Sequence, residues 1–174
     1  MGKIVYLMRG LPAAGNSYTA TRLAGDGGVV LETDLCFYTQ VGDDPSQYDY
    51  DEKLLPVARR WNFERFQDVV GRSACPIVVD RGNGLNSQTQ RYARHAVDHG
   101  YEVELKEPES PWWQELRVLL KYKSHVADVV FDIWAQKLAD RTRTDHRMPV
   151  KTIRRWMSYW RHDLTVEQIL NHRG

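Results

Sequence analysis

The feature that most constrains the fold is an apolar stretch near the start of the chain that ends at a glycine- and proline-containing turn. Residues 3–8 are short, aliphatic and β-branched near their start, which is typical of a buried strand. Residues 18–24 are predicted to form a helix that ends at Gly25. In a strand–turn–helix unit, the free N–H groups and the dipole of the helix N-terminus favour an anion. The sequence therefore predicts an anion-binding turn at residues 10–17.

This turn matches most of the phosphate-binding pattern G-x-x-x-x-G-K-[ST], the P-loop. Gly10, Gly15 and Ser17 occupy pattern positions, but Asn16 stands where the pattern has lysine. Lysine meets the β- and γ-phosphates as a point charge, whereas asparagine offers hydrogen bonds without a charge. The alternative is a tight strand-to-helix turn that binds no ligand. The predicted phosphate-binding residues are Gly10, Ala13, Ala14, Gly15, Asn16, Ser17 and Tyr18.

The rest of the chain continues this alternation of strands and helices. The order predicts an α/β fold, a P-loop NTPase-like three-layer α/β/α sandwich around a mostly parallel sheet of four or five strands. Further strands are predicted at 28–33, 76–80 and 101–106, and helices at 52–70, 88–99, 112–139 (one bent helix or two), 150–161 and 164–170.

The length of the chain, 174 residues, fits one domain with a sizeable core. We therefore predict a single P-loop kinase-like domain over residues 1–174, with a helical insertion and lid at about 112–149. The two cysteines fit neither a metal spacing nor a disulfide framework. No stretch is long enough to span a membrane and no signal peptide precedes the first strand. These observations predict a reduced, soluble, cytoplasmic protein with no membrane partner.

Asp34 is the first candidate for a catalytic or metal-binding residue, because it follows the second predicted strand. Ligands of open α/β sheets lie outside the carboxyl ends of the strands. An acid in this position, one strand after a phosphate loop, is a candidate general base or metal partner. The alternative is that Asp34 caps a following turn. The polar residues 39–51 are predicted to form a loop over the site.

Charge is unevenly distributed, although the formal net charge is only +1. Residues 26–53 hold eight acids and one base, while residues 141–162 hold seven bases and one acid. This pattern predicts a basic lid or groove near an acidic site, or two solvated patches. Arginine suits bidentate phosphate recognition, so Arg141, Arg143 and Arg147 are predicted to form a mobile lid over the phosphates. The alternative is that they pair with the acidic residues 43–52.

Several motifs in order along the chain resemble the small P-loop kinases of the polynucleotide 5′-kinase type, relatives of the AAA-domain NTPases. The resemblance covers nearly the whole chain, and it is the order of the motifs that is specific. The motifs are residues 8–12 with Gly15 and Ser17, Thr33-Asp34, residues 60–62 with Arg65, residues 77–80 with Asn83, residues 100–103, Glu107-Pro108, Leu138-Ala139 with Arg141, Pro149 with Ile153, and residues 159–166.

The resemblance implies a kinase that moves the γ-phosphate of ATP, with Mg²⁺, onto a hydroxyl group. By position, Ser17 would hold Mg²⁺, and the backbone of residues 13–18 would hold the phosphates. Asp34 would accept the proton of the attacking hydroxyl, and arginines of the lid would stabilise the transferring group. The acceptor, a polynucleotide 5′ end or a small hydroxyl compound, is not identified by the sequence.

The chain departs from this family at several positions, among them Asn16 and Tyr18. Leu35 stands where relatives often have a second aspartate, and Phe37 stands where they have an arginine that binds phosphate. Arg81-Gly82 replaces an Asn-Thr pair, and residues 121–136 resemble an insertion.

Three hypotheses follow: a working kinase, a degenerate kinase that binds a nucleotide or partner without turnover, or an interaction protein that retains only the fold. In the first, a basic residue replaces the lysine, and the candidates are Arg9, Lys121 and Lys123.

Overall fold

The centre of the molecule is a four-stranded sheet in which every neighbouring pair of strands is parallel, in the order β2-β3-β1-β4. The computed structural model describes residues 2–39, 51–142 and 148–174. The strands are β1 (Ile4–Met8), β2 (Val29–Glu32), β3 (Ile77–Asp80) and β4 (Glu102–Lys106). The α/β prediction with a parallel sheet of four or five strands is confirmed, and all four described strands are parallel.

Eight α-helices flank or extend this sheet in the described part of the chain. They are α1 (Asn16–Ala24), α2 (Cys36–Thr39), α3 (Leu55–Gly71), α4 (Ser87–Asp98), α5 (Pro111–Lys121), α6 (Asp128–Arg141), α7 (Val150–Tyr159) and α8 (Val166–Leu170). The long helical pattern at 112–139 is thus two helices, because Lys123–His125 forms a 3₁₀ turn between them. None of the helices in the described residues is long and apolar enough to cross a bilayer.

Different helices pack against the two faces of the sheet. On one face, Met8 and Val78 pack against Ala20 and Ala24 of α1. On the other face, alternate residues of the same strands pack against α3, α4 and α8 around the buried ring of Phe66. Side chains of a strand alternate between faces, so each buried strand supplies both cores. This gives the three-layer arrangement.

Helices α5, α6 and α7 form a further apolar core beside the carboxyl end of β1. Trp113 is fully buried there, and its ring lies edge-on to Trp160 with centroids 5.0 Å apart. Trp113 Nε1 also donates to Glu107 Oε1 at 2.9 Å. Leu11 and Ala14 of the glycine-containing turn belong to the same core. The turn is therefore anchored to the second half of the chain.

Some predictions on domain organisation reach residues that the structure does not describe. The polar loop predicted at 39–51 lies, from residue 40 to 50, outside the described residues, and so do residues 143–147 of the predicted lid. The assignment of residues 1–174 to one domain stays a prediction.

Asn83 joins the carboxyl ends of β1 and β3, the two strands that carry the site. Its buried Nδ2 donates to the carbonyl oxygens of Met8 at 2.8 Å and Val79 at 3.0 Å. Its own carbonyl accepts from Arg9 Nε at 3.3 Å.

We expect Asn83→Ala to lower the free energy of unfolding by about 3 kcal/mol, because two buried carbonyl groups each lose a donor. Urea unfolding measures the change. Asn86→Ala is the matched control, since Asn86 only caps α4 by accepting from the Thr89 N–H, and it should cost about 1 kcal/mol. Equal costs for the two variants would contradict this role of Asn83.

Candidate functional site

The glycine-containing turn between β1 and α1 has the backbone conformation that its sequence predicts. A Cβ atom on Gly10 would lie 2.6 Å from Asn16 Oδ1 and 2.9 Å from Pro108, so only glycine fits. Gly15 has a φ of 100°, in the left-handed region that favours glycine. Ala13 also has a positive φ, of 62°, a conformation that is uncommon for a residue with a side chain.

The carbonyl oxygens of the turn are held from outside by the segment that follows β4. Ser110 Oγ donates to the oxygen of Ala14 at 2.7 Å, and Trp112 Nε1 donates to the oxygen of Ala13 at 3.1 Å. The same Ser110 caps α5 by accepting from the Trp113 N–H at 3.2 Å. With its carbonyl groups occupied in this way, the turn is fixed with its N–H groups available on the other side.

Four successive N–H groups at the start of α1 are available for a ligand. The first helical hydrogen bond runs from the Thr19 N–H to the Gly15 oxygen. Within the described ranges, no acceptor takes the N–H of Gly15, Asn16, Ser17 or Tyr18. Successive N–H groups without acceptors at a helix N-terminus are suited to bind an anion such as phosphate.

The Asn16 side chain folds back onto the turn. Its Nδ2 lies 3.5 Å from the Leu11 oxygen, and its Oδ1 is buried without a hydrogen-bond partner in the described residues. The position therefore supplies no positive charge to the turn. A buried acceptor without a donor costs about 1–3 kcal/mol, so Asn16 is neither a replacement for lysine nor a neutral filler.

Asp80, at the end of β3, is a carboxylate in direct contact with the first turn of α1. Ser17 Oγ donates to Asp80 Oδ2 at 3.1 Å, and Asp80 is 7% exposed. Burial raises the pKa of Asp80 to about 6, the hydrogen bond from Ser17 lowers it, and the charge of Asp34 raises it further. Ser17, Asp80 and Asp34 therefore form one polar group beside the turn.

Asp34 lies just beyond the end of β2, in a 3₁₀ turn. The predicted strand reached Thr33, but β2 ends at Glu32, and Thr33–Leu35 forms a 3₁₀ turn. A single 3₁₀ turn requires only local hydrogen bonds, which apolar periodicity does not reveal. Asp34 is half-buried and still lies at the carboxyl edge of the sheet.

A pocket of about 400 Å³ opens beside the turn, lined by Gly15, Tyr18, Thr19 and residues 109–112. Tyr18 is 76% exposed at its edge. The Arg141 guanidinium lies over the Trp112 ring, 4.9 Å from its centroid, and Trp112 contacts the turn at Ala13. Arg141, at the end of α6, is thus linked to the turn through one side chain.

The other basic residues predicted at the site lie elsewhere in the structure or outside its described residues. Arg143 and Arg147 lie outside the described residues. Arg9 is buried over the Trp160 ring and donates to the Arg161 oxygen at 2.8 Å. Lys123 donates to the oxygens of Ser158 at 2.9 Å and Trp160 at 2.7 Å. The hypothesis that Arg9 or Lys123 replaces the lysine is therefore wrong. The remaining candidate, Lys121, is exposed beside Tyr122.

Sequence reasoning missed two residues of the site. Asp80 ends the strand predicted at residues 76–80 but is not among the predicted site residues, although the same argument selects Asp34 after the preceding strand. Trp112 begins the helical pattern predicted at 112–139, and nothing in that pattern signals its hydrogen bond to the turn. The first could have been found from strand order, and the second could not.

A family model and a known protein both match the chain that carries this site. A family model described as an AAA domain matches residues 5–159, which is most of the chain. NEDD4-binding protein 2 of Homo sapiens is 34% identical over 116 residues, 66% of this chain. The matched part is 6% of the human protein, so the chain corresponds to only a small portion of that relative.

The raised pKa of Asp80 predicts a pH dependence of stability. Because its folded pKa of about 6 exceeds its usual 3.8, the folded state binds more protons between these values. The free energy of unfolding therefore falls as the pH rises from about 4 to 7, by about 3 kcal/mol for this group. We expect Asp80→Asn to unfold at higher urea than the wild type at pH 7 and at similar urea at pH 4.

The exposed Asp26 supplies the control, since Asp26→Asn should follow the wild type throughout. Parallel stability curves of Asp80→Asn and the wild type across this pH range would contradict the assignment.

Proposed function

Because the chain belongs to the AAA domain family, a P-loop NTPase-like family, we propose that it is a phosphotransferase that uses ATP and Mg²⁺. The observation that carries this proposal is the row of four available N–H groups at residues 15–18, beside the Ser17–Asp80 pair. Donors for phosphate and oxygen ligands for a cation meet there at the carboxyl edge of a parallel sheet.

The backbone N–H groups would bind the phosphates of the nucleotide. The pocket between Tyr18 and Trp112 would then receive its nucleoside part, because it begins at the last of these donors. Its volume of about 400 Å³ lies in the range of small-molecule pockets, and two aromatic side chains offer stacking surfaces.

Ser17 and Asp80 fit a magnesium ion. A hydroxyl and a buried carboxylate 3.1 Å apart are oxygen donors of the kind that Mg²⁺ prefers, and the cation shares such sites with phosphate oxygens. When bound, Mg²⁺ would neutralise negative charge on the phosphates. Burial raises the pKa of Asp80, and a bound cation would stabilise its ionised carboxylate.

Asp34 would act as the proton acceptor. In the transfer, the acceptor oxygen forms a bond to the γ-phosphorus, the bond to the bridging oxygen breaks, and ADP leaves with that electron pair. The proton of the acceptor hydroxyl passes to the Asp34 carboxylate. The charge of Asp34 is close enough to raise the pKa of Asp80, so base and cation ligand lie side by side. Arg141 would approach the phosphates across Trp112.

A second candidate is a protein that binds a nucleotide without turning it over. Asn16 favours it, because its side chain turns back to the Leu11 oxygen and adds no charge. Removal of one stabilising donor from a transition state commonly costs about 3–4 kcal/mol. Arg9 and Lys123 do not compensate, so turnover would depend on Arg141, on Lys121 or on basic residues outside the described part.

Binding of ATP is the first test. We expect Asn16→Lys to tighten ATP binding at least about tenfold, because a charge-assisted hydrogen bond to phosphate replaces an uncharged group. Isothermal titration calorimetry measures the affinities. Asn171→Lys makes the same exchange at an exposed position after α8 and should leave the affinity unchanged. If the wild type binds no ATP and Asn16→Lys gains none, ATP is not the ligand.

Turnover is the second test, with a 5′-hydroxyl oligonucleotide and a small polyol as acceptors. We expect Asp34→Asn to lower transfer by about 10²–10⁴-fold, the range of general base catalysis. Its ATP affinity should stay within a few-fold, because the variant loses the proton acceptor and little volume. Asp98→Asn, at the end of α4, serves as the control. Loss of binding and turnover together would instead indicate that Asp34 holds the cation.

A further inference from the structure

The segment between β4 and α5 contacts both the glycine-containing turn and α1. A Cβ atom on Gly10 would lie 2.9 Å from Pro108, so the two residues are in close contact. The Glu109 N–H donates to Thr19 Oγ1 at 3.2 Å. The hydrogen bonds to the carbonyl oxygens of the turn come from the same segment. We call residues 108–112 the rim segment, and its position determines which donors reach the turn.

Glu107, which precedes the rim segment, reaches across it to α5. Its Oε1 accepts from Trp113 Nε1 at 2.9 Å and from Arg117 Nε at 3.0 Å. Arg117 Nη2 donates to Glu107 Oε2 at 3.3 Å, so the guanidinium meets both carboxylate oxygens. A paired contact of this kind fixes the relative orientation of its two partners. Glu107 therefore joins the end of β4 to two successive turns of α5.

These contacts fix the direction of α5 as well as its position. The buried ring of Trp113 holds one point of the helix in the apolar core. The contact between Glu107 and Arg117 holds a second point, one turn further along. Two fixed points define the axis of a helix, and Ser110 and Trp112 lie at its start. A change in the direction of α5 would therefore move both side chains that bond to the turn.

The pair of Glu107 and Arg117 lies near the surface, where ion pairs contribute little to stability. The two side chains are 25% and 43% exposed, and exposed pairs are commonly worth less than about 1 kcal/mol. A role in positioning the rim segment would instead affect the affinity for a ligand of the turn. Affinity and stability are therefore expected to respond differently when this pair is removed.

We propose that Glu107 and Arg117 are positioning residues for the phosphate-binding turn. By fixing the direction of α5, they keep Ser110 and Trp112 on the carbonyl oxygens of the turn, which leaves its N–H groups set for phosphate. The inference rests on the proposed function, because it takes phosphate as the ligand of this turn. Both residues act through the rim segment rather than by contact with the ligand.

Inorganic pyrophosphate is the probe, because it tests the turn without a nucleoside. We expect Arg117→Gln and Glu107→Gln to weaken its binding about three- to tenfold, the range of one hydrogen bond. The double variant should lose no more than either single variant, since both remove the same contact. ATP affinity should fall by the same factor, because the effect arises at the turn. Isothermal titration calorimetry on the full chain measures all affinities.

A second ion pair of the same kind supplies the matched control. Arg154 donates to Asp132 at 2.9 Å and to Asp128 at 3.3 Å, and these contacts join α7 to α6. Arg154→Gln should leave pyrophosphate affinity unchanged, and its midpoint of urea unfolding should match that of Arg117→Gln. Arg117→Lys keeps the charge without the paired donors, so it should restore part of the affinity.

The indole N–H of Trp112 reports directly on the contact with the turn, because it donates to the Ala13 oxygen. Its signal in the ¹H–¹⁵N NMR spectrum is assigned by its loss in Trp112→Phe. We expect hydrogen exchange of this N–H to be about three- to tenfold faster in Arg117→Gln, as for the loss of one hydrogen bond. Exchange in Arg154→Gln should equal that of the wild type.

The positioning role is overturned if Arg117→Gln binds pyrophosphate as the wild type does, or if Arg154→Gln loses as much affinity. A loss confined to ATP would also overturn it, since the effect would then arise in the pocket. So would an unchanged exchange rate of the Trp112 N–H. If the wild type binds neither pyrophosphate nor ATP, the proposed function fails, and the Trp112 signal alone decides whether the pair positions the turn.

Discussion

The hydrogen bonds from Ser110 and Trp112 to the turn after β1 are the contacts on which the site depends. A turn of this kind has carbonyl and N–H groups on opposite sides, and it binds an anion only if its carbonyl groups are satisfied elsewhere. Here the side chains that satisfy Ala14 and Ala13 come from the start of α5. The second half of the chain thereby fixes the conformation of a binding element in the first half.

The same arrangement places negative charge beside the turn. Asp80 ends β3 and Asp34 lies just beyond the neighbouring strand β2, so the parallel sheet brings the two carboxylates to the same edge. Burial is the main cause of the raised pKa of Asp80, and the charge of Asp34 raises it further. The ionised Asp80 carboxylate therefore lowers the free energy of unfolding at neutral pH. A ligand with positive charge, or a complex of cation and phosphate, would offset this cost and so bind more tightly.

The sequence predicted the parts of this structure that local patterns determine. Strands such as residues 4–8 and the turn at Gly10 follow from apolar runs and glycine positions. The apolar spacing does not show the break between α5 and α6, because Leu120 and Val126 continue a helical pattern across the 3₁₀ turn. The hydrogen bond between Ser17 and Asp80, and that between Trp112 and Ala13, join residues more than 60 positions apart. Such contacts depend on strand order and packing, which one sequence does not encode locally.

Arg9 and Lys123 do not restore the positive charge that is missing from the turn. Arg9 supports Trp160, and Lys123 holds the end of α7, so both serve the core of α5, α6 and α7. The arginines with unused donors lie instead beyond β3, around Tyr92. In a typical P-loop the cation marks the nucleotide side of the site. In this chain the buried guanidinium donors without a described partner belong to Arg65 and Arg91, on the α3 and α4 side of the sheet.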